Sequence, residues 1–272
     1  MERFKLPYKL LAVDMDGTLL NSASELTERT KIAIRAAINR GILFVPATGR
    51  PMLGMGFLNE LLDDDLPFIV YNGARVVTGK TEKVLFSKSL DFRFAKDIYA
   101  LGVSRNIPVV IWRDERLFVS RDCAEIQKYR GISDAKMEII GDIAMLSDQA
   151  VTKMIWILPQ EQAGAYQDEM NAYFNGHVNC HTSRPYLLEF VDTEASKGRA
   201  LEEIGKIYGI DAKEMIAVGD SYNDLSMLEY AGLGVAMGNA PDDIQAVCQY
   251  VAPSNDEDGV AEVVEKFIVY SD

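Results

Sequence analysis

The sequence predicts an α/β protein with a parallel-sheet core and an inserted α+β domain. Three observations carry that expectation. Short apolar runs without in/out alternation recur in the first and last thirds of the chain, as strands buried on both faces require. Amphipathic segments of crossover length separate them, the pattern of βαβ units. The middle of the chain holds more strand-like runs per helix-like segment, which suits a sheet layered against few helices. Composition agrees: 272 residues, 48% hydrophobic and 25% charged, make a folded protein near the size limit of a single core.

The elements follow in order. Leu10–Val13 reads as a buried strand that ends at an acid. Thr27 to Arg40 reads as a helix, because Thr27 is placed to cap it, Ile32, Ala33, Ala36 and Ala37 share a face, and Gly41 stops it. Ile42–Val45 and Phe68–Tyr71 are the next strands. In the middle, Pro108–Trp112, Leu117–Ser120, Val151–Leu158, His177–Thr182 and Tyr186–Val191 read as strands, with only the helices Cys123–Arg130 and Glu161–Phe174 among them. Alternation then returns: helix Ser196–Tyr208, strand Met215–Val218, helix Tyr222–Tyr230, strand Leu233–Ala236, a helix started by Pro241, and a last helix from Gly259 to Phe267.

Charge narrows the function. Lys and Arg number 28 against 41 Asp and Glu, a net charge of −13, which argues against broad binding to nucleic acid or to an anionic membrane. Leu10–Val13 is too short for a signal-peptide core, and no other stretch approaches a membrane span. Cys123, Cys180 and Cys248 are odd in number and far apart, so a reducing, cytoplasmic setting is expected. Nothing in the sequence sets an oligomeric state.

Chemistry concentrates at the ends of apolar runs. Asp14-Met15-Asp16-Gly17-Thr18-Leu19-Leu20 directly follows the first strand, at the edge where open parallel sheets collect ligands. Two partly desolvated carboxylates that close stay ionised only with a cation between them, and Gly17 allows a sharp turn that aims main-chain N–H groups at an anion. A bare Asp-x-Asp would be read as an acidic loop; the whole string at a strand end argues against that. Pro46-Ala47-Thr48-Gly49-Arg50 offers a hydroxyl and N–H groups for phosphate oxygens, although Thr-Gly is also ordinary turn chemistry. Lys197 opposes the macrodipole at a helix start, which invites a compensating anion, although a surface lysine is the commoner case. Val218-Gly219-Asp220-Ser221-Tyr222-Asn223-Asp224 puts two more acids at a strand end. One divalent ion would relieve both acidic pairs, and an oxygen-only donor set suits Mg²⁺ better than zinc.

In this order the four pieces resemble the haloacid dehalogenase-like hydrolase superfamily, specifically its Cof-type branch of small-molecule phosphatases. The likeness extends to Tyr71-Asn72-Gly73-Ala74, Gly234-Val235-Ala236-Met237-Gly238-Asn239-Ala240 and Ser254-Asn255-Asp256-Glu257-Asp258-Gly259-Val260. It implies a discontinuous Rossmann-like catalytic core, residues 1–82 and 192–272, and a C2-type α+β cap, residues 83–191. It also implies that Asp14 is the nucleophile that forms an aspartyl-phosphate, and that Asp16 is general acid and then base. Mg²⁺ would sit on the Asp14 carboxylate, the Asp16 carbonyl and Asp220, with Asp224 in support. Thr48, Gly49, Lys197, Asn223 and the main chain at Met15 would hold the transferred phosphoryl.

The resulting expectation is a Mg²⁺-dependent phosphatase for small phosphorylated metabolites such as sugar phosphates. An ionisable residue at position 16 favours hydrolysis, since the intermediate needs a base to activate water. A phosphosugar mutase and a non-catalytic phosphometabolite sensor are the alternatives. Candidates for meeting the substrate are Arg50, Asn72, Arg184 and Tyr186, although Ser183-Arg184-Pro185-Tyr186 also reads as a surface hairpin. His177 and His181 read as ordinary residues of the insertion, Trp112 and Trp156 as core, and Asp63-Asp64-Asp65 as a solvated loop.

Overall fold

The computed structural model describes residues 8–59, 65–130, 135–146 and 150–270. The first element among the described residues is β1 (Leu10–Asp14), all of whose residues are buried. The helix Glu28–Asn39 follows, its N-terminus capped by the Thr27 side chain accepting from the Thr30 N–H, with Thr30, Ala33, Ile34 and Ala37 on the buried face. β2 (Leu43–Ala47) and β3 (Pro67–Val70) come next, then β4 (Arg75–Thr78) and β5 (Val84–Ser87). The middle of the chain supplies β6 (Val109–Arg113), β7 (Arg116–Val119), β8 (Met137–Ile139), β9 (Lys153–Ile157), β10 (Asn179–Arg184) and β11 (Leu187–Val191). β12 (Met215–Gly219), β13 (Leu233–Ala236) and β14 (Tyr250–Val251) close the chain's strand order.

These strands make two sheets in two compact units. One unit runs up to Gly49, resumes over Met55–Phe86 and again from Ser196; the other comprises Arg50–Gly54 and Ser87–Ala195. Sequence places the first junction near residue 82, but β4 and β5 carry the first unit's sheet on to Phe86.

In the first unit the eight strands lie in the order β14-β13-β12-β1-β2-β3-β4-β5. Pairing is parallel from β14 through β3 and antiparallel between β3 and β4. From β1 the chain goes to β2 on one side, and it later returns to β12 on the other. The carboxyl ends of β1 and β12 therefore flank a topological switch point, where an open α/β sheet leaves a crevice for ligands. Leu10, Ala12, Val45, Ala47, Ile69, Ala217 and Ala236 pack there against Ala200, Leu201 and Ile204 of the helix Lys197–Tyr208.

The second unit is a mixed sheet in the order β10-β11-β9-β6-β7-β8, antiparallel except for the β7–β8 pair. Val109, Ile111, Phe118, Met154, Trp156, Leu188 and Phe190 form one face of its core, packed with Ala95, Ile98, Met170 and Phe174 from helices. Trp112 and Trp156 are both fully buried, with indole N–H groups donated to the Tyr129 hydroxyl and the Ile98 carbonyl. The sheet is richer in helix than the sequence suggests. The helix Phe92–Ser104 is absent from the sequence-based reading, although Asp91 caps it and Ala95, Ile98, Tyr99 and Gly102 bury one stripe.

Two other differences have local causes. The expected helix Tyr222–Tyr230 begins only at Leu225, because the Asp224 carboxylate accepts from the Asp220 and Ser221 N–H groups and holds 220–224 as a loop. The last helix is regular only over Gly259–Val264 and widens into a π-type turn over Glu265–Val269. Of the acidic run Asp63-Asp64-Asp65, the first two lie outside the described residues. Asp65 is a turn clamp: it accepts from the Thr81 hydroxyl at 2.5 Å and from the main chain of Lys80 and Thr81, which draws its pKa down to about 2. Among the described residues no helix is long and apolar enough to cross a membrane.

Candidate active site

β1 delivers Asp14 to the switch point, and the chain then folds straight back. The Leu19 N–H donates to the Asp14 carbonyl (3.1 Å) and the Leu20 N–H to the Met15 carbonyl (2.9 Å), closing a tight loop around Asp16 and Gly17. Gly17 has φ +85°, and a Cβ there would lie 2.6 Å from Asp220 Oδ2, so only glycine lets this loop meet the end of β12. Asp14 and Met15 are buried, whereas Asp16 is exposed.

Three carboxylates converge. One oxygen from each of Asp14, Asp220 and Asp224 lies within 4.8 Å of the others. Lys197, first residue of its helix and without exposed surface, donates its ammonium to Asp14 Oδ1 and to Asp224 Oδ1, the latter at 2.5 Å. The anion that a lysine at a helix start calls for is therefore this acidic pair. Asp224 is fully buried with both oxygens engaged, since Oδ2 takes the Asp220 and Ser221 N–H groups.

The electrostatics follow from three acids around one ammonium. Burial, then the Asp224 carboxylate, push the Asp14 pKa well above the usual range, with Lys197 opposing in part. Burial also raises Asp220, to about 6, against the Thr18 hydroxyl bond that favours its ionised form. For Lys197 burial works against the charge, but Asp14 and Asp224 outweigh it and hold the pKa above its ordinary value. The imbalance belongs to the acids: Asp14 and Asp220 are raised despite the ammonium, and further positive charge would favour their ionised forms. An all-oxygen set of this kind fits a hard divalent cation such as Mg²⁺.

The other predicted phosphate-holding residues gather at neighbouring strand ends. Thr48 is 1% exposed at the end of β2, its N–H donated to the Ile69 carbonyl at 2.8 Å. Asn223 donates its amide to Asn72 Oδ1 (3.0 Å) and accepts from the Ser221 hydroxyl (2.5 Å). Arg50 opens the short segment that groups with the second unit. Arg184 and Tyr186 also belong to that unit, joined by a 3.4 Å bond from the guanidinium to the phenol. Beside them Glu189 is buried against Lys153 at 2.9 Å and accepts from Ser183, while His181 Nε2 lies 3.5 Å from the same carboxylate. His177 stacks on Phe94.

Sequence reasoning misses the supports. The Thr18 hydroxyl donates to Asp220 Oδ1 at 2.8 Å. The Asn239 amide donates to the Gly17 carbonyl (2.8 Å), its Oδ1 accepts from the Asn255 N–H, and the Asn255 amide donates to the Leu20 carbonyl (3.0 Å). Two of the accessory strings thus fasten the loop that carries Asp16. The residues were visible as part of the resemblance; their targets, main-chain carbonyls remote in sequence, were not.

A haloacid dehalogenase-like hydrolase family model matches residues 11–264, nearly the whole chain. The chain belongs to the haloacid dehalogenase-like hydrolases. It is 31% identical over 267 residues to the YxeH protein of Bacillus subtilis, covering 96% of this chain and 99% of that one. A second Bacillus subtilis relative, the 5-amino-6-(5-phospho-D-ribitylamino)uracil phosphatase YwtE, is 30% identical over 295 residues, with 96% and 98% of the two chains covered. Among solved structures, a haloacid dehalogenase-like hydrolase from Bacteroides thetaiotaomicron superposes with a TM-score of 0.85 at 28% identity, over 95% of this chain and 99% of that one. As a haloacid dehalogenase-like hydrolase the chain is an enzyme, and the acidic cluster at the ends of β1 and β12 is its candidate active site.

Proposed function

We propose that this hydrolase is a Mg²⁺-dependent phosphatase acting on small phosphorylated metabolites of the sugar-phosphate kind, through an aspartyl-phosphate on Asp14. The observation that carries the reading is Asp14 itself: a buried carboxylate at the switch point, pinned by the ammonium of Lys197 beside two further acids. The phosphate on a ribityl chain in the name of the YwtE relative supports the substrate class.

In this mechanism an Asp14 oxygen attacks phosphorus while the bond to the leaving oxygen breaks, and Asp16 protonates that oxygen. Asp16, now a carboxylate, takes a proton from water; the water oxygen attacks phosphorus, the bond to Asp14 breaks, and phosphate leaves. Exposure suits Asp16 to both proton steps. Lys197 holds Asp14 in place and favours its ionised form, and its charge offsets the repulsion between a carboxylate and a phosphate dianion. Thr48, Gly49, Asn223 and the main chain at Met15 hold the phosphoryl oxygens. Asp14, Asp220 and the Asp16 carbonyl would hold Mg²⁺, with Asp224 occupied in orienting Lys197 and the 220–221 main chain. Bound there, Mg²⁺ supplies charge stabilisation to the transferring phosphoryl. The second unit takes the family's part of a cap that selects the leaving group, with Arg184 and Tyr186 as its candidate contacts.

The test is phosphate release from a generic aryl phosphate with Mg²⁺ and with a chelator. Wild type turns over only with Mg²⁺, Asp14→Asn has no turnover, and Asp16→Asn is slower by about 10²–10⁴-fold. Appreciable turnover by Asp14→Asn removes the nucleophile assignment, and full activity in chelator removes the metal.

A further inference from the structure

The turn after β3 is the most strained stretch of backbone near the site. Tyr71, Asn72 and Gly73 follow one another at φ 52°, 56° and 94°, all in the left-handed region. Asparagine and glycine tolerate that region, but a bulky aromatic side chain does not enter it without restraint. Tyr71 is fully buried, so packing supplies the restraint. Backbone held this way is retained where the surroundings over-determine it, which directs attention to what the turn touches.

It touches three of the four pieces assigned to the phosphoryl group. The Asn72 N–H donates to the Thr48 carbonyl at 2.9 Å, and a Cβ on Gly49 would lie 2.8 Å from Asn72 Oδ1. The same Oδ1 accepts from Asn223 Nδ2 at 3.0 Å. A Cβ on Gly73 would lie 2.1 Å from the Ser196 carbonyl and 2.7 Å from the Lys197 nitrogen, so the turn is seated against the first residue of the lysine's helix. β2, β12 and that helix thus arrive from distant parts of the chain and meet at one residue's surroundings.

We infer that Asn72 is a positioning residue of the phosphoryl-binding site, acting through Asn223 and the Thr48–Gly49 turn. Asn72 is 6% exposed, and its carboxamide oxygen serves Asn223. A carboxamide has two N–H bonds on its nitrogen. Asn72 takes one from Asn223, and the Ser221 hydroxyl fixes the opposite oxygen, so the second N–H has a single direction left. A carboxamide fixed at both ends can meet a phosphoryl oxygen without first losing rotamer freedom, which is the part given to Asn223 in the proposed mechanism. The left-handed conformation matters as much as the side chain, because it lets one residue give its N–H to β2 and its side chain to the loop after β12.

This inference rests on the phosphatase reading, and a double-mutant cycle separates the two. The readouts are competitive inhibition by orthophosphate, aryl phosphate kcat and KM, and the urea midpoint, for wild type, Asn72→Gly, Asn223→Ala and the double variant. Glycine keeps the left-handed backbone and removes only the carboxamide. Asn72→Gly weakens orthophosphate inhibition about tenfold, the loss of one well-made hydrogen bond to an ion-binding group. The double variant is weakened no more than about twofold beyond Asn223→Ala alone, since both changes remove one shared interaction. Multiplying effects would show that Asn72 meets the substrate independently and overturn the inference. So would a lowered urea midpoint with unchanged orthophosphate inhibition, the mark of a structural role alone. A wild type without Asp14-dependent turnover would instead remove the phosphatase reading, and orthophosphate binding by calorimetry still decides whether Asn72 and Asn223 act together.

Discussion

Asp220 shows how much of this site is settled one side chain at a time. It is a half-buried carboxylate beside two other acids, and left alone it would turn toward solvent. Two neighbours prevent that: the Thr18 hydroxyl donates to Oδ1, and Gly17, with no Cβ, lets the loop close on Oδ2. Thr18→Val keeps the shape and removes the donor, and Thr18 is 2% exposed, so no water replaces the hydroxyl. Supports that orient a metal-binding carboxylate are worth about 10–100-fold in metal affinity. Thr18→Val is accordingly expected to raise the Mg²⁺ concentration for half-maximal activity by about that factor while leaving kcat at saturating Mg²⁺ close to wild type. An unchanged Mg²⁺ titration would mean that Asp220 needs no such support. The sequence marks Asp14, Asp16 and Asp220 by their place at strand ends and Lys197 by its place at a helix start, and the structure brings Asp14, Lys197 and Asp220 together. Thr18 was not legible in this way, because threonine after glycine in a turn is common for reasons unconnected with its hydroxyl's partner.

Among the elements, those built on local pattern were readable and those held by tertiary contact were not. β1, β2 and β12 are continuous apolar runs, and the helix Glu28–Asn39 carries its own cap and stop. The helix Phe92–Ser104 has equally good spacing on its buried face, but Phe92, Phe94 and Leu101 pack part-buried against the same core and Val103 is exposed, so the apolar pattern is broader than one stripe and the period is blurred. β8 is three residues long and exists by pairing with β7. The loop Ser254–Asp258 is the clearest tertiary case. Asp256 accepts from the Ser22 main chain and hydroxyl, Asp258 from the Thr27 hydroxyl at 2.5 Å, and Asn255 reaches the Leu20 carbonyl. This loop secures the segment after β1, so a late part of the chain holds the turn that carries Asp16. Asn255→Ala leaves a buried carbonyl without its donor and is expected to cost about 1–3 kcal/mol in urea unfolding. A loss of turnover should accompany it, because the Asp16 loop loses an anchor. A midpoint equal to wild type would show that Asp256 and Asp258 suffice.

For the whole molecule, whose net charge is −13, the costliest acids are the three that converge at the first unit's switch point. Burial pushes the Asp220 carboxyl from its usual 3.8 up to about 6 in the fold. Between those values folding takes up a proton, so the free energy of unfolding falls as pH rises through the window and levels off above it. Asp14, also shifted upward, adds in the same direction. The raised Lys197 does not oppose this: its contribution is fully present below its unfolded pKa and disappears only in strong alkali. Mg²⁺ needs the ionised carboxylates, so its stabilisation must run the opposite way and grow as pH rises. At a hundredfold excess over Kd a ligand contributes about 2.7 kcal/mol, which for a protein of this size is about 5–10 °C in Tm. The expected result is a metal-free Tm that declines from pH 4.5 to about 6.5, and a Mg²⁺-induced rise that is small at the acid end and reaches that range near pH 7.5. The residues proposed to hold Mg²⁺ lie in the unit formed by residues up to Gly49, Met55–Phe86 and from Ser196 onward, so calorimetry should assign the shift to that unit's transition. A Mg²⁺ effect that is constant across this pH range, or that survives Asp220→Asn, would place the cation somewhere other than among these carboxylates.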